Sequence, residues 1–151
     1  MEENIKQLLL KDLCARLPYD VKCKIEIWEG YDICTVYNIN SMGYIEIVED
    51  YDTNGVNIER IKPYLFPLSS MTEEQMEELE ELCTMYTPDD DYHPYAHMGI
   101  KVLYKHVLDD GYTFSLDFNT DVIDWLNKNH FDYRGLIEEG LAIDATGKNI
   151  Y

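Results

Sequence analysis

No lysine or arginine occurs between Pro63 and Lys101, although this stretch carries nine carboxylates. Those nine charges equal half of the formal net charge of −18 that the chain carries at pH 7. Such a strong excess of negative charge repels nucleic acid and anionic membranes, and it attracts basic protein surfaces. Direct nucleic-acid binding is disfavoured, because it depends on clustered basic side chains that neutralise phosphates.

Other absences narrow the class of protein further. No stretch approaches the roughly 20 apolar residues of a membrane helix, and the first residues are acidic at Glu2 and Glu3, unlike a targeting segment. Also missing are a Gly-rich phosphate loop, a G-x-S-x-G nucleophile elbow and a C-x-x-C pair among the four cysteines. We therefore expect a cytoplasmic protein in a reducing compartment, with no membrane partner and no cofactor.

The composition nevertheless indicates a folded protein. Of the 151 residues, 46% are apolar and 13 are tyrosines. That much apolar surface offsets the conformational entropy lost on folding, so the high charge does not indicate disorder. A chain of this length has the size of one ordinary domain, and we predict a single globular domain over residues 1–151.

Apolar periodicity predicts a first helix followed by a β-meander. Apolar residues recur at helical spacing until Pro18, which predicts a helix from about Asn4 to Arg16. From Lys22 the period changes to two, and turn signals at Gly30 and at residues 40–43 then separate three strands.

Burial selects one register for these strands. It places their isoleucines on one face, with Ile27 opposite Ile33 and Ile39 opposite Ile45. In this register Cys23 and Cys34 point to opposite faces, so we expect no disulfide between them.

The second half of the chain is predicted to hold further helices and up to two strands. Pro63 and Pro67 are expected to keep residues 61–70 in an irregular, extended connection. Thr72 and Gln75 form a capping box for a helix that runs to about Met85. The remaining predicted elements are strands near residues 100–107 and 112–116, a helix from Thr120 or Asp121 to Asn129, and a short helix Tyr133–Glu139 that stops at Gly140.

The predicted fold class is α+β. An antiparallel β-meander of three to five strands is expected to pack against three to four helices.

The second helix is two-faced. One arc is apolar, and the other carries Glu73, Glu74, Glu77, Glu78, Glu80 and Glu81. Six carboxylates over eight steps of about 1.5 Å give roughly one charge per 2 Å, close to the charge spacing of about 1.7 Å along duplex DNA. This arc favours a nucleic-acid mimic that binds a basic surface. An ordinary solvated face is the alternative, although such faces usually mix charge signs and form i,i+4 ion pairs.

The acidic loop after this helix extends the candidate binding surface. Its aspartates continue the negative charge, and tyrosines supply contact area at low entropic cost, as they do at interface hot spots. Tyrosines that only cap the edge of the core are the alternative. The candidate partner-binding residues of this segment are Asp89, Asp90, Asp91, Tyr86, Tyr92 and Tyr95.

Two other function classes remain open. A metal-dependent hydrolase could use Asp91, His93 and His97, but Pro94 disfavours the helix that would bring both imidazoles to one metal. We therefore assign no metal ligand and no catalytic residue, and metal analysis of the purified protein would reveal the hydrolase. A structural or regulatory homo-oligomer is the third class, which a mass measurement in solution would reveal.

The C-terminal segment resembles a family of small acidic proteins encoded on phages and other mobile elements of gut Bacteroidales. The residues that carry the resemblance are Asp124–Ile137 and Gly140–Ala142, together with Lys62–Leu65 and Pro67–Thr72. The resemblance spans most of the chain and transfers no activity or residue role. It implies a genomic setting, an accessory protein acting inside a bacterial cell. An inhibitor of a host defence nuclease is one form that such a DNA mimic would take.

The cysteine usage gives a first prediction. Under denaturing, non-reducing conditions, a thiol reagent should modify all four cysteines, because a reducing compartment keeps them as thiols. A sample that is reduced beforehand gives the signal expected for four modified cysteines. Fewer modified cysteines in the untreated protein would contradict the assignment to a reducing compartment.

Overall fold

The computed structural model describes residues 2–25, 33–40, 42–48, 55–84 and 120–151. The chain forms two compact units, one made of residues 1–67 and 130–151 and the other of residues 68–129. Helices and a mixed sheet confirm the α+β class. The single domain predicted for residues 1–151 stays a prediction.

In its described residues, the first unit is built on a mixed sheet of seven strands. The strand order is β4-β3-β2-β1-β5-β6, and β7 also pairs with β5. Neighbours from β4 to β5 are antiparallel, which confirms the predicted meander, whereas β6 and β7 run parallel to β5. The strands are β1 (Lys22–Ile25), β2 (Cys34–Ile39), β3 (Tyr44–Ile47), β4 (Val56–Asn57), β5 (Ile61–Pro67), β6 (Phe131–Asp132) and β7 (Ile143–Asp144).

The α-helix in the described part of this unit is α1 (Glu3–Arg16), which confirms the first predicted helix. Its buried Leu9 and Leu13 join the buried strand residues in one apolar core. We call the sheet face that contributes to this core the inner face and the opposite one the outer face. The inner-face residues of the sheet include Cys23, Ile25, Cys34, Val36, Ile45, Ile47, Ile61 and Leu65.

The predicted phase of β2 is wrong at its beginning. Cys34 and Val36 are buried, whereas Ile33 is 44% exposed. Cys34 lies directly opposite Cys23, so the two side chains share the inner face and do not point to opposite faces as predicted. Ile27 lies outside the described residues.

A β-bulge then restores the predicted register. Val36 lies opposite Ile47 and Asn38 opposite Glu46, so β2 contains one residue more than β3 over this interval. Beyond the bulge Ile39 lies opposite Ile45, as predicted.

The geometry of the Cys23–Cys34 pair does not suit a disulfide. The Val36 N–H donates to the Val21 carbonyl (3.1 Å), and in an antiparallel ladder the hydrogen-bonded positions recur at every second pair. Cys23 and Cys34 therefore form a hydrogen-bonded pair, whose Cβ atoms lie about 5.5 Å apart. A disulfide requires about 3.5 to 4.5 Å. No disulfide joins Cys14, Cys23 or Cys34, the cysteines that the structure describes.

Residues 61–67 form a strand inside the sheet and not the predicted irregular connection. Pro63 lies opposite Cys23, whose backbone hydrogen-bonding groups point toward β2. The nitrogen of Pro63 therefore points away from β1, on the side where pairing with β7 begins only at Tyr64. Because no ladder bond is lost there, the strand accommodates its proline.

The predicted helix Tyr133–Glu139 is also wrong, because this segment forms bends and turns. Gly135 has φ +75°, a left-handed conformation that an α-helix cannot contain. The Asp132 carboxylate accepts hydrogen bonds from the backbone N–H groups of Leu136 (3.0 Å) and Ile137 (2.7 Å), which fixes the turn. Gly140, the predicted stop, has φ +69°.

The second unit contains α2 (Glu73–Thr84) and α3 (Thr120–Lys128), which pack against each other. The capping box is confirmed, because Gln75 N donates to Thr72 Oγ1 (3.2 Å) and Thr72 N donates to Gln75 Oε1 (3.0 Å). Both helices end within one residue of the predicted ends. The two strands predicted between residues 100 and 116 lie outside the described residues.

Within the part of the chain that the structure describes, every helix is too short or too polar to cross a bilayer.

Candidate functional site

The acidic helix places its glutamates on the surface. The structure brings five of the six predicted residues together as exposed side chains on α2. We call Glu73, Glu74, Glu77, Glu78 and Glu81 the acidic face. Glu80 lies within α2, but its side chain is outside the described part. The other predicted partner-binding residues (Tyr86, Asp89, Asp90, Asp91, Tyr92 and Tyr95) and the alternative metal ligands His93 and His97 lie outside the described residues.

Packing fixes the direction of the acidic face. Leu79 is buried at 1% exposure on the opposite side of the helix. Trp125 of α3 donates from Nε1 to Glu78 Oε2 (3.1 Å), which ties one carboxylate to the neighbouring helix. The capping box holds the first turn, where Glu73 and Glu74 are stabilised by the positive end of the helix dipole.

The acidic face is unfavourable for the isolated helix. Glu73 and Glu77, Glu74 and Glu78, and Glu77 and Glu81 are i,i+4 neighbours of like charge. Each such pair destabilises a helix by a few tenths of a kcal/mol, whereas a lysine at one position would stabilise it. Helices usually avoid like charges at i,i+4 positions. Several such pairs on one surface are expected where function needs the charge.

A buried cluster of charges in the first unit was missed by the sequence prediction. Arg16 is fully buried and donates to Asp12 through Nε (2.8 Å to Oδ2) and Nη2 (3.0 Å to Oδ1). The same Nη2 donates to the backbone carbonyl of Phe131 (2.8 Å). Arg134 Nη1 contributes a further bond to Asp12 Oδ1 (2.9 Å). Two guanidinium groups therefore share one buried carboxylate.

The cluster connects α1 to the C-terminal segment. Asp12 and Arg16 meet because they are i,i+4 neighbours on α1. Both guanidinium groups lie over the ring of Tyr133, with the Cζ atoms of Arg16 and Arg134 5.7 and 4.6 Å from its centroid. The i,i+4 spacing of Asp12 and Arg16 was the one signal in the sequence, but it is equally common on solvated helix faces.

The side chain of Tyr151 bridges strands β1 and β5 beside this cluster. The Tyr151 hydroxyl accepts from Lys22 N–H (3.1 Å) of β1 and donates to the Tyr64 carbonyl (2.8 Å) of β5. It thus links the two strands just beyond their last pair, Cys23 with Pro63. Although 44% of the residue is exposed, the hydroxyl lies inside, and burial raises the pKa of Tyr151.

His130 stacks on this tyrosine, with ring centroids 3.8 Å apart and an interplanar angle of 13°. Its backbone is left-handed, with φ +58°. Burial and the nearby positive charge of Arg16 lower the pKa of His130 to about 4. Among the residues that the structure describes, the buried nitrogens His130 Nδ1 and Arg16 Nη1 have no hydrogen-bond partner.

The described geometry provides structural stabilisation and an exposed charged surface. Among the described residues, no group of three His, Cys, Asp or Glu side chains could hold a metal ion. No family model, no curated protein and no solved structure matches the chain. Its function must therefore be argued from its own surfaces.

The Arg16 cluster gives a second prediction. Arg16→Met should lower the free energy of unfolding by about 3 kcal/mol or more, because it leaves the buried Asp12 carboxylate with one cation and removes the link to Phe131. Arg134→Met is the control. It should cost about 1 kcal/mol, since Asp12 keeps both bonds from Arg16. Urea unfolding measures both values, and equal losses would contradict a central role for Arg16.

His130 gives a third prediction, on pH. Between pH 6.5 and 4 the unfolded state binds a proton that folded His130 does not, so stability should fall as the pH falls through this window. The loss attributable to His130 should be on the order of 2 kcal/mol.

The matched variant for this test is His130→Asn, since asparagine tolerates a left-handed backbone and does not titrate. Urea unfolding at several pH values gives the slope for each protein. Carboxylates contribute equally to both slopes, so their difference isolates the histidine. Parallel curves would contradict the assignment.

Proposed function

We propose that the protein is a non-catalytic, intracellular interaction protein whose acidic face binds a basic surface of another protein. The observation that carries this proposal is the acidic face itself: five exposed carboxylates of one sign on a helix that is fixed by its cap and by α3. The basic surface would normally bind nucleic acid. Inhibition of a host defence nuclease is the form that the resemblance to mobile-element proteins suggests.

The spacing of the carboxylates supports mimicry of nucleic acid. Residues 73–81 span eight steps of about 1.5 Å, or about 12 Å of helix. Five carboxylates over that length, together with Glu80, approach the charge density of a duplex, about one charge per 1.7 Å. A groove lined with lysine and arginine for phosphates would meet a similar field on α2.

A preformed helix also binds at a lower entropic cost than a flexible acidic tail would. Ordering a flexible segment on binding costs entropy, which reduces affinity. Here the capping box and the Trp125–Glu78 bond already hold the helix and one carboxylate in place. The remaining cost is the immobilisation of the exposed glutamate side chains.

This proposal gives a fourth prediction. Replacing Glu74, Glu77, Glu78 and Glu81 with glutamine should slow association with basic partners recovered from the host cell by about tenfold or more, because steering by charge is reduced. The association rate of the original protein should fall steeply with added salt, and that of the variant should fall less. Duplex DNA should compete for the same partner. Stopped-flow or surface-binding kinetics over a salt series measures both rates.

A matched control removes four charges elsewhere. Glu2, Glu3, Glu138 and Glu139 are all exposed, and their replacement with glutamine changes the net charge by the same amount. This control should keep the fast rate and stay within about 0.5 kcal/mol of the original stability. The acidic-face variant should be at least as stable as the original protein, because the repulsion between like-charge i,i+4 neighbours is relieved. Identical rates and salt slopes for the two variants would show that the acidic face is only a solvated surface.

A further inference from the structure

The side chain of Tyr151 occupies a site that has the features of a ligand pocket. Its hydroxyl accepts from Lys22 N–H (3.1 Å) and donates to the Tyr64 carbonyl (2.8 Å). Its ring stacks on His130 and lies tilted against Phe66, with ring centroids 3.8 and 5.9 Å apart. We call these two backbone groups and two rings the tyrosine pocket.

The walls of the tyrosine pocket are held by the sheet and not by Tyr151. Lys22 and Tyr64 belong to β1 and β5, which pair directly. Phe66 N–H donates to the His130 carbonyl (2.9 Å), which fixes the two ring-bearing residues to each other. The Phe66 ring also lies against the buried ring of Phe131, with centroids 6.2 Å apart. We therefore expect the walls to remain in place when the Tyr151 side chain leaves.

The segment that carries Tyr151 is held by few contacts. Within the described chain, the two bonds of the Tyr151 hydroxyl are the hydrogen bonds that attach residues 149–151. The nearest backbone bond runs from Lys148 N–H to the Ala145 carbonyl (3.1 Å), and residues 146–149 are exposed. Ordering three residues costs conformational entropy, which here is offset mainly by one side chain. Such a segment opens locally at a lower free energy than the core does.

Backbone strain is concentrated at this contact. His130 and Asn149 have left-handed backbones, with φ +58° and +50°. Among the described residues, Asp20 is the one other non-glycine residue with positive φ. Strained conformations of this kind cluster at sites that bind ligands. Here the strain lies on both sides of the contact, in a wall of the pocket and in the segment that carries its occupant.

We propose that the tyrosine pocket is a binding site for phenols, and that Tyr151 occupies it as a tethered ligand that a free phenol displaces. The pocket presents one donor, Lys22 N–H, and one acceptor, the Tyr64 carbonyl. A single neutral hydroxyl satisfies both groups. A carboxylate has no hydrogen for the carbonyl, and an ammonium group has no lone pair for the N–H. A ring without a hydroxyl leaves both backbone groups unpaired.

The rings of the pocket select a flat aromatic ligand. The planes of the Tyr151 and His130 rings differ by 13°, a stacked arrangement that a saturated ring cannot adopt. The hydroxyl of Tyr151 lies inside, whereas 44% of the residue is exposed, so the ring position para to the hydroxyl leads to solvent. The ligand is therefore a phenol with a substituent at the para position. A free phenolic compound and a tyrosine on another chain both supply this group.

Phenol binding is independent of the acidic face. All residues of the tyrosine pocket belong to the first unit, whereas α2 belongs to the second. A phenol that enters the pocket must displace Tyr151, so binding releases the segment 149–151 from the sheet. The pocket therefore couples a small aromatic ligand to a change in this part of the chain.

Removal of the tethered ring tests the pocket. Tyr151→Ala should bind p-cresol, the free equivalent of a tyrosine side chain, and NMR titration of the Lys22 amide and the His130 ring should show saturable shifts. Toluene, which lacks the hydroxyl, should bind about tenfold or more weakly than p-cresol. The original protein should also bind p-cresol about tenfold more weakly, if Tyr151 fills the pocket in about 90% of molecules. Tyr37→Ala, at another exposed tyrosine, is the matched control and should behave like the original protein.

A second variant and a second probe complete the test. Tyr151→Phe keeps the tethered ring but loses both hydrogen bonds, so its affinity for p-cresol should lie between those of the original protein and Tyr151→Ala. Urea unfolding shows whether each variant is folded, and p-cresol should raise the midpoint of Tyr151→Ala more than that of the original protein. N-acetyltyrosinamide distinguishes the two sources of ligand. Binding of both probes shows that a tyrosine on a chain enters the pocket, whereas binding of p-cresol alone restricts it to free phenols.

Three results would overturn the proposal. They are a folded Tyr151→Ala variant whose Lys22 and His130 signals do not respond to p-cresol, equal binding of p-cresol and toluene, and equal affinities of this variant and the original protein for p-cresol. If Tyr151→Ala does not fold, Tyr151→Phe decides: it must bind p-cresol more tightly than the original protein does, or the proposal fails. None of these measurements involves a basic partner, so they leave the proposed function of the acidic face untouched.

Discussion

The burial of Arg16 is the constraint on which the first unit depends. A guanidinium group removed from water is stable only if carboxylates and carbonyls replace its hydration. Asp12 meets this requirement from one turn earlier on α1, and the Phe131 carbonyl meets it from the other end of the sequence. The requirement therefore determines where β6 lies relative to α1. It also brings Tyr133 and Arg134 to the same place, where Arg134 bonds to Asp12 and lies over the Tyr133 ring.

The sequence predicts the fold wherever one local signal dominates. The end of α1 follows from Pro18, and the start of α2 follows from Thr72 and Gln75, because these residues act on their immediate neighbours. The alternation of apolar residues likewise identifies β1 and β3. Such signals are local, and tertiary contacts do not change them.

Prediction fails where a distant contact decides. Pro63 fits inside the sheet because its neighbour Cys23 directs its backbone hydrogen bonds toward β2 and needs none from Pro63. The sequence around Pro63 carries no sign of this pairing. The turn at 133–140 depends on Gly135 and on the carboxylate of Asp132, which replaces the first helical bonds. The phase of β2 depends on one extra residue at Tyr37 and Asn38. The acidic face could be predicted because amphipathic spacing suffices for it, whereas the buried cluster requires residues 12 and 134 to meet.

The parallel pairing of β5 with β6 has a consequence for folding during translation. Phe66 and Phe131 lie side by side, so residues 68–129 leave and re-enter the first unit at adjacent points of its sheet. This is the topology of an inserted segment, which a scaffold tolerates because its ends are close together. During translation, however, β5 is complete long before β6, β7 and Tyr151 emerge from the ribosome. One side of β5 therefore stays an open strand edge until residues 143–151 are synthesised. Contacts between residues so far apart in sequence are of the kind that slows folding.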